Sequence, residues 1–186
     1  MEEDPPDAGA IRESISDPDR FAIIFDRHFD AIFAYLRRRV DRSIAEDIAA
    51  EVFVRAFAQR SRFDSRRESA RPWLLGISAN LLKHHWRSER RQLKAYAKSG
   101  VDPVSEWDSS RSDDRLDADA SAPALASALA NLDHRERETL LLFVWGDLSY
   151  EETADALGIS LAAVKSRIHR ARRKLRKLIP LDRERT

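Results

Sequence analysis

Between Lys165 and Lys177 the chain carries Lys165, Arg167, Arg170, Arg172, Arg173, Lys174, Arg176 and Lys177 with no acid among them. A run of this kind either attracts a polyanion or merely solvates a helix face. The residues around its start favour the first reading. Across Glu151–Arg170, Ala154, Gly158 and Val164 stand at the offsets of a helix-turn-helix. Ala154 is small where two helices cross closely, Gly158 can take the positive φ of a tight turn, and Val164 fills the angle between the helices. Ser160 is placed to cap the second helix, whose buried face would be Leu161, Val164, Ile168, Ala171, Leu175 and Leu178. The outward face then carries Ala162, Lys165, Ser166, His169, Arg170 and Arg173, with Arg167 beside them, a set suited to base edges and phosphates. Lys165 and Arg170 sit where base contact is expected, whereas Arg173, Lys174 and Lys177 lie further along, where phosphate contact is expected.

A second tract, Lys83–Lys98, is cationic apart from Glu89. It contains His84 and His85, which with nearby acids would be the place to look for a nuclease. No paired-carboxylate, His-metal, nucleophile–base or phosphate-loop arrangement accompanies them, and His169 has no ligand partner at metal spacing. With 0 Cys, thiolate metal sites, disulfides and cysteine nucleophiles are excluded. Neither catalysis nor a cofactor nor a metal is expected.

The elements that would hold these residues are helical. Phe21, Ile24, Phe25, Phe29, Ile32, Phe33, Leu36 and Val40 recur at steps of three and four, a single apolar stripe. Ser43 with Glu46 reads as a capping box opening a helix through Ile44, Ile48, Val52, Ala56 and Phe57. Ser61–Glu68 is polar and reads as a loop. Ser69 and Pro72 start a third helix with an apolar stripe Trp73, Ile77, Leu81, continuing to about Lys98. From Ser99 to Pro123 the periodicity stops and an acidic, Ser- and Asp-rich stretch follows, the composition of a flexible linker. Leu125 and Leu129 suggest a short helix. Asp133 with Glu136 reads as another capping box, opening a helix that ends at Gly146.

The chain of 186 residues has only 5 Gly, and 33 Lys and Arg against 32 Asp and Glu give a net charge of +1. That balance hides a segregation, because Met1–Arg20 and Asp102–Asp119 are mostly acidic while the two basic tracts are nearly acid-free. The expected fold is all-α: two small helical domains joined by a flexible linker, the second a helix-turn-helix domain. Residues 1–20 would be an acidic flexible tail, 21–98 the first domain, 99–123 the linker, 124–179 the second domain and 180–186 a C-terminal tail. Met1–Arg20 lacks the basic-then-apolar order of a secretory leader, and the apolar run Leu140–Trp145 is too short for a membrane span. A soluble cytoplasmic protein without membrane insertion is expected. On these residues alone, a repressor or activator using the helix-turn-helix, a nucleic-acid enzyme and a pure interaction module remain as alternatives.

The motifs also resemble a known family, the small extracytoplasmic-function (ECF) sigma factors of bacterial RNA polymerase. LDHRERETLLLFVWGDLSYEETADALGISLAAVKSRIHRARRKL is similar to the family's fourth region, which reads the minus-thirty-five promoter element. DIAAEVFVRAF is similar to its polymerase-binding helix, and PWLLGISANLLKHHWR to its minus-ten recognition and melting segment. The resemblance implies a sigma factor that binds core polymerase and directs promoter recognition, melting and initiation at a specific regulon. It implies polymerase contact, at the beta-prime clamp helices, through Asp47, Glu51, Val52, Phe53, Arg55 and Phe57, with Ile48 and Ala56 in the core. It implies minus-ten contact through Arg62, Phe63, Asp64 and the loop to Ser69, which would capture an unstacked base, and through Trp73, Asn80, Lys83, His85 and Arg87. The helix-turn-helix residues would meet minus-thirty-five DNA, and the beta flap and an anti-sigma factor are further implied partners. The chain departs from the family pattern at His84, at Thr153, where a larger aliphatic is common, and at Ala162 and Ala163.

Overall fold

The computed structural model describes residues 6–98 and 127–178, with side-chain surroundings for 6–88 and 127–178. The expected linker, 99–123, and the C-terminal tail, 180–186, lie outside the described residues. Every regular element among the described residues is helical. The chain divides into two compact units, Met1–Arg111 and Ser112–Thr186, each treated by itself below.

The first unit runs α1 (Asp7–Glu13), a 3-10 turn (Pro18–Phe21), α2 (Ala22–Arg37), α3 (Arg42–Gln59), a second 3-10 turn (Arg60–Arg62) and α4 (Arg71–Lys98). Helices α2, α3 and α4 pack pairwise on one another. The residues they bury are Ile24, Ile32, Tyr35 and Leu36 from α2, Ala45, Ile48, Ala49, Val52 and Ala56 from α3, and Leu74, Leu75 and Leu82 from α4. Each fully buried Leu or Ile contributes about 1.5–3 kcal/mol over its exposed state. The expected α2 stripe splits in two. Ile24, Ile32 and Leu36 are fully buried, while Phe25, Phe29 and Phe33 form an aromatic row at the edge, with Phe25 and Phe29 against Phe53.

The opening residues are not a flexible tail as far as they are described. Asp7, Ala10 and Ile11 of α1 are buried, and α1 packs on α2 and on the turn at Arg60–Arg62. The composition is acidic, but Asp7 is 3% exposed rather than solvated. Its carboxylate accepts hydrogen bonds from Arg27, from His28 Nε2 at 2.7 Å and from the Ala70 amide at 2.7 Å. Burial alone would raise its pKa, yet the His28, Ala70 and Arg27 bonds together hold it well below the ordinary 3.8.

Two expected helix starts are also corrected. Helix α3 begins at Arg42, its N-cap is Asp41, and no side chain caps it. Glu46 does not reach back to Ser43 but pairs with Arg42 at 2.9 Å. On α4 the buried face is Leu74, Leu75, Ser78, Ala79, Leu81 and Leu82, so Trp73 and Ile77 sit half-buried at its margin instead of forming the core stripe.

The second unit has helical residues 127–130, then α5 (His134–Trp145), α6 (Tyr150–Leu157) and α7 (Leu161–Leu178). Leu132, Leu140, Ala154, Val164, Ile168 and Ala171 form one core, with Leu129, Phe143, Tyr150, Ile159 and Leu175 packed against it. Leu178, expected on the buried face, is 47% exposed. The expected Asp133–Glu136 box is half made. Asp133 accepts from the Arg135 amide at 2.9 Å, but the Glu136 carboxylate is turned to Lys174 and Arg170 of α7. At the other end of α5, Gly146 stays right-handed and Asp147 takes the positive φ, 51°.

Candidate nucleic-acid interfaces

The helix-turn-helix geometry follows from α6 and α7. Ser149 caps α6 by accepting from the Glu152 amide at 3.1 Å, and Glu152 accepts from the Ser149 amide at 2.8 Å, a complete capping box. The helix ends at Gly158 in the left-handed region, φ 62° and ψ 40°. A Cβ there would meet nothing within 4 Å, so backbone conformation rather than space calls for glycine. Ser160 then accepts from the Ala163 amide at 3.3 Å and opens α7. Thr153, one of the departures from the family pattern, is fully buried, and its hydroxyl donates to the Ser149 carbonyl at 2.7 Å, which satisfies it.

Helix α7 directs Ala162, Lys165, Ser166, His169, Arg170 and Arg173 to solvent, with Arg167 half-buried. These seven expected residues thus share one outer region. Their electrostatics are not uniform. Glu136, 5% exposed, accepts from Arg170 Nε at 3.1 Å and from Lys174 Nζ at 2.7 Å, and Arg170 also donates to the Ser166 hydroxyl at 2.7 Å. Lys174, opposed by burial and helped by Arg170, holds the Glu136 carboxyl below its ordinary 4.5. The Arg172 guanidinium lies over the Phe143 ring, 5.5 Å from its centroid. The acid-free run therefore divides into cations committed to the fold, Arg170, Arg172 and Lys174, and cations without an ion pair among the described residues, including Lys165, Arg167 and Arg173. Lys174, expected on phosphate, is tied to Glu136 in the DNA-free chain. No local sequence signal marks this tie, because Glu136 stands at a capping-box position and its partners lie 34 and 38 residues on.

In the first unit the expected minus-ten residues fall into two groups. Phe63 and Trp73 pack together, ring centroids 5.1 Å apart and inclined at 57°. Asp64 is engaged locally: it accepts from Arg66 Nε at 2.9 Å, Nη2 at 2.8 Å and the Arg66 amide at 3.1 Å, and this Arg66 pairing lowers its pKa to about 2. Ser69 accepts from the Arg71 amide at 3.1 Å, and Arg62 is exposed. Along α4, Trp73, Ile77, Asn80, His84 and Arg87 step by four, three, four and three, a single stripe beginning under Phe63. Asn80, His84 and Arg87 on it are exposed, while Lys83 and His85 flank it half-buried. His84, left out of the expected contact set, lies on the stripe. Trp86 is elsewhere, 4.8 Å from the Arg39 guanidinium that also bonds the buried Tyr35 hydroxyl.

Helix α3 separates the expected polymerase residues. Asp47 and Arg55 are exposed and Glu51 is half-buried, with Glu51 and Arg55 paired at 2.6 Å. Val52 is 0% and Phe53 6% exposed, so both belong to the core, and Phe57 packs edge-on to Phe21 beneath Arg60. The Val52 and Phe53 side chains are therefore not a surface, and Phe57 is half-buried. Val54, 62% exposed, was missed, and helical phase would have found it: with 45, 48, 49, 52, 53 and 56 inward, positions 47, 50, 51, 54 and 58 face out.

These features define a two-part helical DNA-binding protein: a helix-turn-helix unit, and a bundle bearing a stripe that runs from a half-buried aromatic pair to the exposed Asn80, His84 and Arg87. Comparison with known proteins narrows the class. The Sigma-70 region 2 family model matches residues 24–92 and the Sigma-70 region 4 model matches 123–175. The chain is 30% identical over 168 residues to the ECF RNA polymerase sigma factor SigW of Bacillus subtilis, covering 87% of this chain and 89% of that one. It is 30% identical over 172 residues to the ECF RNA polymerase sigma factor BldN of Streptomyces coelicolor, covering 92% of this chain but 64% of that relative's length. Among solved structures, CnrH in complex with the cytosolic domain of CnrY matches at TM-score 0.64 and 26% identity, covering 95% of this chain and 98% of that one. The chain belongs to the ECF sigma factors, promoter-recognition factors of RNA polymerase. No helix among the described residues is long and apolar enough to cross a membrane.

Proposed function

We propose that this sigma factor works in the cytoplasm by binding alone, without catalysis of its own. It brings core polymerase to promoters of one regulon and helps open them. Helix α3 meets the polymerase clamp through Asp47, Glu51, Val54 and Arg55. The loop from Arg62 to Ser69 takes an unstacked base, and the α4 stripe of Trp73, Asn80, His84 and Arg87 follows the separated strand, where cations meet phosphates and stacking contributes about 1–3 kcal/mol per base. Helix α7 enters the minus-thirty-five major groove, with Lys165 foremost in base contact and Arg167 and Arg173 on phosphate. An anti-sigma partner belongs to the proposal, supported by the solved complex of CnrH with CnrY's cytosolic domain.

The observation that carries this reading is the stripe beneath the Phe63–Trp73 pair, a surface for unpaired bases in the same chain as a duplex-reading helix-turn-helix. The test is transcription in vitro with core polymerase on a promoter library, with permanganate footprinting of the melted strand. Promoter-selective initiation with open-complex footprints is expected, and Asn80→Ala should reduce open complexes more than closed-duplex binding. Binding to duplex DNA with no polymerase dependence would favour a simple repressor instead.

A further inference from the structure

Helix α4 lacks a local partner for one of its first amides. Its N-cap residue is Ala70, fully buried, whose carbonyl accepts from the Leu74 amide at 2.9 Å. In a capping box the N-cap amide would be satisfied by a Glu or Gln three residues on, but that position is Trp73, which accepts nothing. The acceptor comes instead from Asp7, 63 residues earlier, at 2.7 Å. The same carboxylate is gripped by Arg27 and His28 of α2, so it cannot swing away without leaving buried donors behind.

The other side of the loop is held from the same segment. Arg60 Nε donates to the Ser14 carbonyl at 3.1 Å, just past the end of α1, while its guanidinium lies 3.8 Å from the Phe57 ring centroid. The loop 63–69 is thus strung between two attachments, Arg60 to Ser14 upstream and Ala70 to Asp7 downstream. Its Phe63 meets Trp73 in the first turn of α4. The segment before residue 24 lies outside both family-model matches.

We propose that Asp7 is a positioning residue for promoter opening: α1 clamps both ends of the 63–69 loop and fixes where an unpaired base is received. The proposal rests on the base-capturing reading of that loop. Asp7 touches no DNA, and its effect passes through Ala70 and the first turn of α4.

The test uses the full chain bound to core polymerase and two fork-junction DNAs, one with an unpaired minus-ten base and one abasic at that position. Asp7→Asn, which keeps the shape but not the charge, should weaken binding to the base-bearing fork about fivefold, the low end of a stacked base's worth. Binding to the abasic fork and to core polymerase should change less than about twofold, well below the roughly fivefold floor for losing one stacked base. Asp7→Glu, which restores the carboxylate, should recover part of the loss. Arg60→Met releases the other attachment without stranding a buried charge, and should show the same base-dependent loss even if Asp7→Asn folds poorly. Equal losses on both forks, or no loss from either variant, would overturn the proposal. Phe63→Ala separates it from the reading beneath it: base-dependent loss there, without loss from Asp7→Asn or Arg60→Met, sinks the clamp alone. No base-dependent loss from Phe63→Ala sinks both.

Discussion

The two units start their helices in opposite ways. In the second, α5, α6 and α7 are each capped by a side chain at their own threshold: Asp133, Ser149 and Ser160. In the first, the N-caps of α2 and α3, Phe21 and Asp41, make no side-chain cap bond, and α4, although Ser69 accepts from its Arg71 amide, takes the acceptor for its N-cap amide from a carboxylate of α1. Helix boundaries in the helix-turn-helix unit are therefore set within four residues of sequence, whereas those of the bundle are set by packing and by one long-range bond. A unit of the first kind should lose stability in small local steps, and a unit of the second kind in one large, delocalised step.

Asp7→Ala tests the larger step. Removing one partner from a buried, multiply bonded charge costs about 3–5 kcal/mol, and here it takes the acceptor from the buried His28 ring and the Ala70 amide together. Hydrogen exchange should accelerate across α1, α2 and the start of α4 while α6 and α7 stay unchanged. Loss confined to α1 would mean the bond is local after all. Because the Asp7 carboxyl is held below 3.8 in the fold, its contribution is present above that pH and lost as pH falls through the lower folded value. Acid titration of wild type should therefore loosen the first unit, and the Asp7→Ala protein should lack that part of the pH dependence.

Gly158→Ala comes next. The left-handed φ of 62° costs a Cβ-bearing residue about 1–2 kcal/mol, and the open space around it leaves no clash to add. Ser149→Ala should cost about 1 kcal/mol by unmaking the capping box. Both losses should appear in chemical denaturation of the second unit and leave exchange in α1 and α4 untouched. A loss above about 3 kcal/mol for Ser149→Ala, beyond the usual range for a cap, would mean that this box also holds distant structure.

The same contrast explains what could be read from the residues. The helix-turn-helix was readable because Ala154, Gly158, Ser160 and Val164 act on neighbours, and the structure gives Gly158 its positive φ and Ser160 its cap. The order and type of the helices followed from three- and four-residue spacing. What was not readable depends on distant partners. Asp7 looks like one more acid in a solvated tail until Arg27, His28 and Ala70 surround it, and Glu136 looks like a capping residue until α7 presents Lys174 and Arg170. Val52 and Phe53 show another limit: the family resemblance implied surface roles for them, but helical phase turns both inward and leaves Val54 outside.

The smallest effect concerns the cations of α7, where neighbouring residues of equal charge should not count equally toward DNA. Each phosphate neutralised by a protein cation releases counterions and adds about 0.9 to the slope of log affinity against log salt. Arg173 has no ion pair among the described residues, whereas Arg170 already faces the buried Glu136 and the Ser166 hydroxyl. Arg173→Ala should therefore lower the slope by nearly the full amount, and Arg170→Ala by distinctly less. Glu136→Gln should release Arg170 and Lys174 toward the backbone and raise the slope, with affinity for all promoter sequences increasing together. Selected-promoter sequencing alongside the titration separates the two kinds of contact: Lys165→Ala should relax preference at one minus-thirty-five position, while Glu136→Gln should leave preference intact. If Arg170→Ala lowered the slope as much as Arg173→Ala and Glu136→Gln changed nothing, then Arg170 leaves Glu136 when DNA arrives, and the division of α7 into committed and available cations would hold only in the unbound protein.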